Sequence, residues 1–296
     1  MVIKAKPAEK DSVRKLNAFF QSRDWKPFSF QKKTWLAYLR GKSGLVHAPT
    51  GTGKTFAVWM PPLMEWIEEQ NTKTKSIQPG LRVLWLTPLR ALVEDTTRSL
   101  LEVVEGIGLP WTVESRTGDT SGTIKAKQRR KFPSALVTTT ESLSLLLSYP
   151  ETRSCFSDLR AVIVDEWHEL LSTKRGAQTE LCLARLRKWN PSLRTWGLSA
   201  TLGNLDQAVA TLTGNEKQGV LVDGNIRKKF VVKTLIPKNM ESFPWAGHLG
   251  GKLVKQVAEV IDKKSTTLVF TNVRSQTEYW FDALLNVRPE WKNQIG

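Results

Sequence analysis

The chain has 296 residues, enough for one large domain or two ordinary ones, and 44 Lys and Arg against 28 Asp and Glu leave a formal net charge of +16. That balance favours a polyanionic partner over the bland alternative of a merely basic surface. Two cysteines, three histidines and no apolar run near the roughly 18 residues of a membrane span argue against a disulfide scaffold, a zinc site and a membrane protein. The basic N-terminus lacks an apolar core of signal-peptide length, so the cytoplasm is the expected compartment.

In chain order, residues 1–26 read as a helical lead-in. A strand is expected at 44–48 and a helix at 54–68, followed by a polar loop at 71–80 whose Lys73 and Lys75 read as solvated. Strands at 82–87, 111–115, 135–138, 159–165, 193–199 and 219–222 then alternate with helices at 89–104, 141–147, 177–189 and 205–212. Runs such as Ala161-Val162-Ile163-Val164 are apolar throughout, the mark of strands covered on both faces, so the fold class is α/β with a doubly wound parallel sheet. Trp59, Trp66, Trp85 and Trp196 fall inside apolar elements and read as core, and Cys155 and Cys182 as buried thiols. The segment 125–131 carries five basic residues in seven positions, and a solvated helix face and a phosphate-contacting surface both fit it. After residue 222 the alternation breaks. A β-rich run at 229–236, a Gly- and Pro-rich stretch at 237–251, a helix at 252–261, a strand at 266–271 and a helix at 275–285 are expected.

The chemistry concentrates at strand ends. Ala48-Pro49-Thr50-Gly51-Thr52-Gly53-Lys54-Thr55 joins a strand to a helix, and its small residues let backbone N–H groups curl around a di- or triphosphate at a helix N-terminus. Lys54 would reach the outer phosphates and Thr55 would hold Mg²⁺ through its hydroxyl. Asp165 and Glu166 follow an apolar strand directly. There Asp165 would hold Mg²⁺ and Glu166 would deprotonate the attacking water, whereas a helix start rich in acids is the structural alternative. Ser199 and Thr201, beyond another strand, could bond a neighbouring carboxylate or His168, which could couple the acidic pair to those hydroxyls.

An ordered series of motifs carries a family resemblance: PFSFQ (27–31), APTGTGKT (48–55), TPLRAL (87–92), TGD (117–119), TTTESL (138–143), DEWH (165–168), LSATL (198–202) and LVFTN (268–272). Together they resemble the superfamily 2 helicases of the DExH type. DEWHELL, KRGAQTEL and RTWGLSATLGNL are similar to the large helicase-related (Lhr) group, most of all its bacterial branch of ligase-associated DExH helicases. The resemblance implies RecA-like domains that bind ATP and Mg²⁺. It implies that Gln31 reads adenine, with Trp25 or Phe28 packing on the ring. Residues 50–55 hold the phosphates, and Lys54, Asp165, Glu166 and His168 are catalytic. Ser199 and Thr201 couple hydrolysis to movement. Thr87, Arg90, Gly118, Thr139 and Glu141, with Thr271, Asn272 and Arg274 of a second domain, line a nucleic-acid track. The expected partner is single-stranded DNA tracked 3′ to 5′, or a DNA/RNA hybrid, with a repair role beside an ATP-dependent DNA ligase and a metal-dependent nuclease.

Two departures from the family pattern stand out. Ala48 replaces the first Gly of the strict phosphate-loop pattern, and Ala is common there in this superfamily. No glycine- and threonine-containing motif and no arginine-finger motif follow Arg274. The expected organisation is therefore a lead-in at 1–26, a RecA-like domain at 27–222, a linker at 223–251 and the start of a second RecA-like domain at 252–296, an N-terminal piece of a longer enzyme. An ATP- and nucleic-acid-binding module with little turnover is the alternative reading.

Overall fold

The computed structural model describes residues 10–71, 79–214, 219–224, 231–236, 253–262 and 266–295. Lys73 and Lys75 and the stretch 237–251 lie outside them. The chain divides into two compact units, Met1–Arg227 and Lys228–Gly296.

In the first unit, strands β1 (Gly44–His47), β2 (Val83–Leu86), β3 (Val113–Arg116), β4 (Ala135–Thr138), β5 (Ala161–Val164), β6 (Arg194–Ser199) and β7 (Val220–Asp223) form one parallel sheet. Their spatial order is β3-β4-β2-β5-β6-β1-β7. One face is covered by α1 (Asp11–Gln21), α2 (Ser29–Leu39), α3 (Lys54–Asn71) and α4 (Ala91–Ile107). Helix α5 (Gly122–Arg130) lies beside the β3 edge, where Gln128 Nε2 donates to Glu114 Oε2 and the Ser115 carbonyl at 3.0 Å each. The other face is covered by α6 (Thr140–Ser148), α7 (Trp167–Leu170), α8 (Lys174–Trp189) and α9 (Leu205–Thr213).

Alternation along each strand produces this sandwich. Val83 and Trp85 point into one apolar cluster and Leu84 and Leu86 into the other; Ala161 and Ile163 likewise part from Val162 and Val164. Both faces need cover, so these strands are apolar at every position. Trp59, Trp66, Trp85 and Trp196 are buried as expected. Cys182 is buried but Cys155 only half-buried, and both are free thiols. Helix α3 runs past Pro61 and Pro62, which cannot donate to the preceding turn, because Trp59, Leu63, Trp66 and Ile67 bury its face.

The second unit holds α10 (Val254–Asp262) and α11 (Arg274–Val287), packed around Val254, Ala258, Leu284 and Trp291. The strand expected at 266–271 is not formed. Those residues are unpaired, with Leu268 and Phe270 exposed at 78% and 88%. A strand exists only with a ladder partner, and among the described residues this unit offers none. Residues 231–236 of the expected β-rich run are likewise irregular.

Candidate nucleotide and nucleic-acid site

Parallel strands bring their carboxyl ends to one rim of the sheet, and there the candidate residues gather. Leaving β1, the chain turns through residues 48–53 into α3, with Gly51 and Gly53 at φ +72° and +77°, a left-handed backbone that favours glycine. Thr52 Oγ1 donates to the Pro49 carbonyl at 2.7 Å, and Thr50 is exposed on the loop. Lys54 is buried with Nζ 2.9 Å from the Ala48 carbonyl, so its ammonium lies inside the loop; Thr55 follows, half-buried. Gln31 is buried against the same loop: its Nε2 donates to the Gly53 carbonyl at 2.9 Å and its Oε1 accepts from the Phe28 N–H at 2.8 Å. Phe28 stacks on Phe30 with rings 5.9 Å apart, and Trp25 packs on Phe56; both leave nearly half their surface exposed.

Asp165 stands at the end of β5. Its N–H donates to the Leu86 carbonyl at 2.7 Å, its Oδ1 accepts from the Glu166 N–H at 2.9 Å and its Oδ2 from Trp85 Nε1 at 3.3 Å. Burial, reinforced by the neighbouring Glu166 carboxylate, pushes Asp165 up to about 6, against the opposing pull of its hydrogen bonds and of Lys54. Lys54 and Asp165 therefore feel each other's charge. Glu166 adopts a left-handed backbone at φ +42°, clamped between Asp165 and the fully buried Trp167, whose Nε1 donates to the Ala208 carbonyl at 3.1 Å. Its Oε2 is buried without a hydrogen-bond partner, 3.4 Å from His168 Nδ1. The same Nδ1 lies 3.3 Å from Ser199 Oγ at the end of β6, so His168 stands between Glu166 and Ser199. Thr201 is exposed beyond the strand and is not drawn into this cluster.

A second group occupies the other half of the rim. Thr87 follows β2, with its Oγ1 buried and unpartnered. Arg90 Nη1 lies 3.3 Å from Asp119, and Gly118 is so close beneath that a Cβ there would meet Arg90 Nη2 at 3.1 Å. Thr139 caps α6 by accepting from the Ser142 N–H. Glu141 receives Arg175 Nε at 2.6 Å and Nη2 at 3.3 Å. Burial raises the Glu141 carboxyl, but the bonds from Arg175, the backbone and Thr139 outweigh it and hold the group below its usual range. Strand order thus places the Gln31, Lys54, Asp165, Glu166 and Ser199 cluster on β5, β6 and β1. The Thr87, Gly118 and Thr139 cluster falls on β2, β3 and β4.

A family model described as DEAD/DEAH box helicase matches residues 28–208. The chain belongs to the DEAD/DEAH box helicase family. It is 33% identical over 248 residues to the ATP-dependent helicase Lhr-Core of Methanocaldococcus jannaschii, covering 80% of this chain and 29% of that one. It is 29% identical to the Lhr helicase/uracil glycosylase of Escherichia coli, covering 87% and 19% of the two chains. Mycobacterium smegmatis helicase Lhr, solved bound to ssDNA and AMP-PNP, superposes with a TM-score of 0.72 at 29% identity, covering 93% of this chain and 36% of that one. The chain thus spans between 19% and 36% of the length of these relatives.

Within this helicase fold, the second unit places Thr271 Oγ1 2.6 Å from Thr277 Oγ1 and Arg274 Nε 3.2 Å from Glu278, with Asn272 exposed between them. Two residues at the rim carry no signal in the sequence. Trp85 reads as plain core, yet its indole N–H orients Asp165. Arg175 lies 34 positions from Glu141, and no local spacing announces that pair. No group of three His, Cys, Asp or Glu side chains forms a metal cluster among the described residues. The donors present still fit Mg²⁺, which takes one or two protein oxygens and completes its shell with phosphate and water. Asp165, a largely desolvated carboxylate, and the half-buried Thr55 hydroxyl beside the 48–53 loop are the oxygens that would suit it.

Proposed function

We propose that this chain binds ATP at the β1, β5 and β6 ends and a nucleic-acid strand at the β2, β3 and β4 ends, as the working half of an ATP-driven translocase. The observation that carries this is the convergence of the Lys54 ammonium, the Asp165 carboxylate and the unpartnered Glu166 oxygen on one rim, with His168 linking Glu166 to Ser199. Lys54 would exchange the Ala48 carbonyl for phosphate oxygens. Asp165 and Thr55 would hold Mg²⁺, which when bound neutralises charge developing on the transferred phosphate. Glu166 would take the proton of the attacking water, and the His168–Ser199 contact would pass the change at the γ-phosphate to β6. The track residues offer hydroxyls, backbone groups and one guanidinium, which suit phosphates rather than base edges and so binding without sequence preference. The likeness to an Lhr solved with ssDNA supports single-stranded DNA as ligand. Cytoplasmic DNA repair beside an ATP-dependent DNA ligase and a metal-dependent nuclease extends this reading by resemblance, and co-purification with those enzymes tests it.

A second reading, binding with little turnover by these 296 residues, is favoured by the arginines. Arg288 is the one arginine after Arg274, and Asp262 holds it at 2.7 and 3.0 Å, so no guanidinium of that segment is available as a finger. An arginine finger contributes roughly 10³–10⁵ in rate. ATPase and nucleotide-analogue binding measured with and without single-stranded DNA test both readings. Analogue binding that disappears in Lys54→Ala, with slow phosphate release, is expected. Binding unaffected by Lys54→Ala would overturn the site, and fast DNA-stimulated release would overturn the second reading alone.

A further inference from the structure

At the opposite pole of the sheet, a set of arginines mounted on aromatic rings has no part in the proposed motor. Helices α5, α6 and α8 all start near the carboxyl rim and run back, so their C-terminal ends meet beside the amino ends of β4, β5 and β6. There the Arg129 guanidinium sits over the Tyr149 ring, 5.1 Å from its centroid. Arg153 and Arg185 both sit over the Trp189 indole, at 5.9 and 5.6 Å. Arg185 Nη1 also donates to the Leu147 carbonyl at 3.0 Å, tying α8 to the end of α6. Phe156 packs against Trp189 with ring centroids 6.0 Å apart and planes tilted by 42°. Among the described residues, no carboxylate forms an ion pair with Arg129, Arg153 or Arg185, nor with exposed Lys188 beside them. Glu151 is the exposed acid within the same segment.

Part of this charge is explained by helix ends, since cations favour C-termini and α5 and α8 carry them in their last turns. That account does not reach Arg185, which precedes the last turn of α8, and it is weak for Arg153, whose 3-10 turn Pro150–Phe156 is only seven residues long. Nor does it explain why three guanidiniums are each set on a ring. A ring platform holds a guanidinium in place while leaving N–H groups for a phosphate, all of them on Arg153 and those other than the Leu147-bonded Nη1 on Arg185. Trp189 is engaged by two guanidiniums and Phe156, and Tyr149 by one guanidinium, so these half-buried rings serve arginines rather than the unpaired bases on which single-strand affinity depends.

We infer that Arg129, Arg153 and Arg185, with Lys188, form a second nucleic-acid contact that grips the phosphate backbone of duplex DNA, away from the strand track. Two contacts at opposite poles let the domain hold a duplex region while the rim handles a single strand. The inference takes its ligand class from the function proposed above but uses none of the rim residues, so the two stand or fall separately.

Fluorescence anisotropy over a salt series tests it, with a blunt duplex of about two helical turns and with oligo(dT). Arg129→Gln/Arg153→Gln/Arg185→Gln should weaken duplex binding on the order of tenfold and lower the slope of log affinity against log salt by about 2–3, near one per phosphate contact. Nucleotide-analogue affinity and oligo(dT) binding should be unchanged. Arg153→Gln alone, which removes a ring contact and no internal hydrogen bond, should lower the duplex slope by about one and decides the matter if the triple variant does not fold. A duplex slope and affinity equal to the parent chain would overturn the inference. So would a loss on oligo(dT) as large as on duplex, or a loss confined to an acidic polypeptide such as polyglutamate. Failure of the parent chain to bind nucleotide analogue would count against the proposed ATP site and not against this patch.

Discussion

Glu166 combines three features that rarely coincide: a left-handed backbone, a buried unpartnered oxygen and a neighbour locked into the core. Such a conformation costs about 1–3 kcal/mol and persists where surroundings over-determine it, here through the Asp165 and Trp167 hydrogen bonds. In a helicase that contains this chain and turns over ATP, Glu166→Gln should leave analogue binding intact in calorimetry and slow hydrolysis by roughly 10²–10⁴. Equal loss of binding would refute the role given to Glu166. Cys182 makes a different residue-scale prediction. Burial, against smaller pulls from Ser144 and Arg185, lifts its thiol from 9.0 to about 11. The folded state then keeps a proton that the unfolded chain releases, so stability is full below pH 9 and falls as pH rises toward 11. Urea midpoints at pH 8 and pH 10 should differ less in Cys182→Val than in the parent. A drop of equal size in both would remove the thiol from the explanation.

Among the elements, α3 ties the two poles together: Lys54 opens it at the rim and its last turns are gripped by arginines at the amino ends of three neighbouring strands. Arg82 lies 2.7 Å and Arg160 3.9 Å from Glu69, and Arg194 meets Glu65 at 2.8 and 2.9 Å while covering the Tyr38 ring. Arg194 and Glu65 are 15% and 20% exposed, so removing one leaves the other stranded. Arg194→Met should cost about 3–5 kcal/mol, and Glu65→Leu/Arg194→Met should recover most of it, because apolar replacement of a whole buried pair is often neutral. Denaturant titrations of the two variants measure this directly. Helix α2 shows the limit of periodicity at this scale. Tyr38 and Phe30 are buried while Leu36 and Leu39 are exposed, so its apolar residues mark no single stripe and the helix is not legible from periodicity. The strand expected at 266–271 failed for the opposite reason: its residues suit a strand, but none of the described residues pairs with it.

At the scale of the whole molecule, two compact units of unequal size share one chain. The first owns a seven-stranded sheet with apolar cover on both faces, whereas the second rests on a small cluster around Val254, Ala258, Leu284 and Trp291. Every residue proposed to hold nucleotide belongs to the first unit. A chain ending at residue 227 should therefore fold cooperatively and bind an ATP analogue as tightly as all 296 residues. A large loss of affinity in calorimetry would mean that the second unit contributes to the nucleotide site.

The sequence by itself determined the class of fold, the strands near 44, 83, 135, 161 and 194, and the phosphate loop with its acidic partner. Each of these is a local pattern: an apolar run, a glycine-rich turn, a pair of carboxylates at a strand end. Tertiary structure alone decided the strand order that separates the cluster proposed to bind nucleotide from the one proposed to line a strand track along one rim. It alone brought Trp85 to Asp165, Arg175 to Glu141 and His168 between Glu166 and Ser199, and left Thr201 outside. It also brought Arg129 to Tyr149 and Arg153 to Trp189, whereas Arg185 meets Trp189 by i,i+4 spacing on one helix. The physical reason is the same throughout. Local propensities act within a few residues, whereas hydrogen bonds, ion pairs and ring contacts join positions that only the packing of sheet and helices makes neighbours.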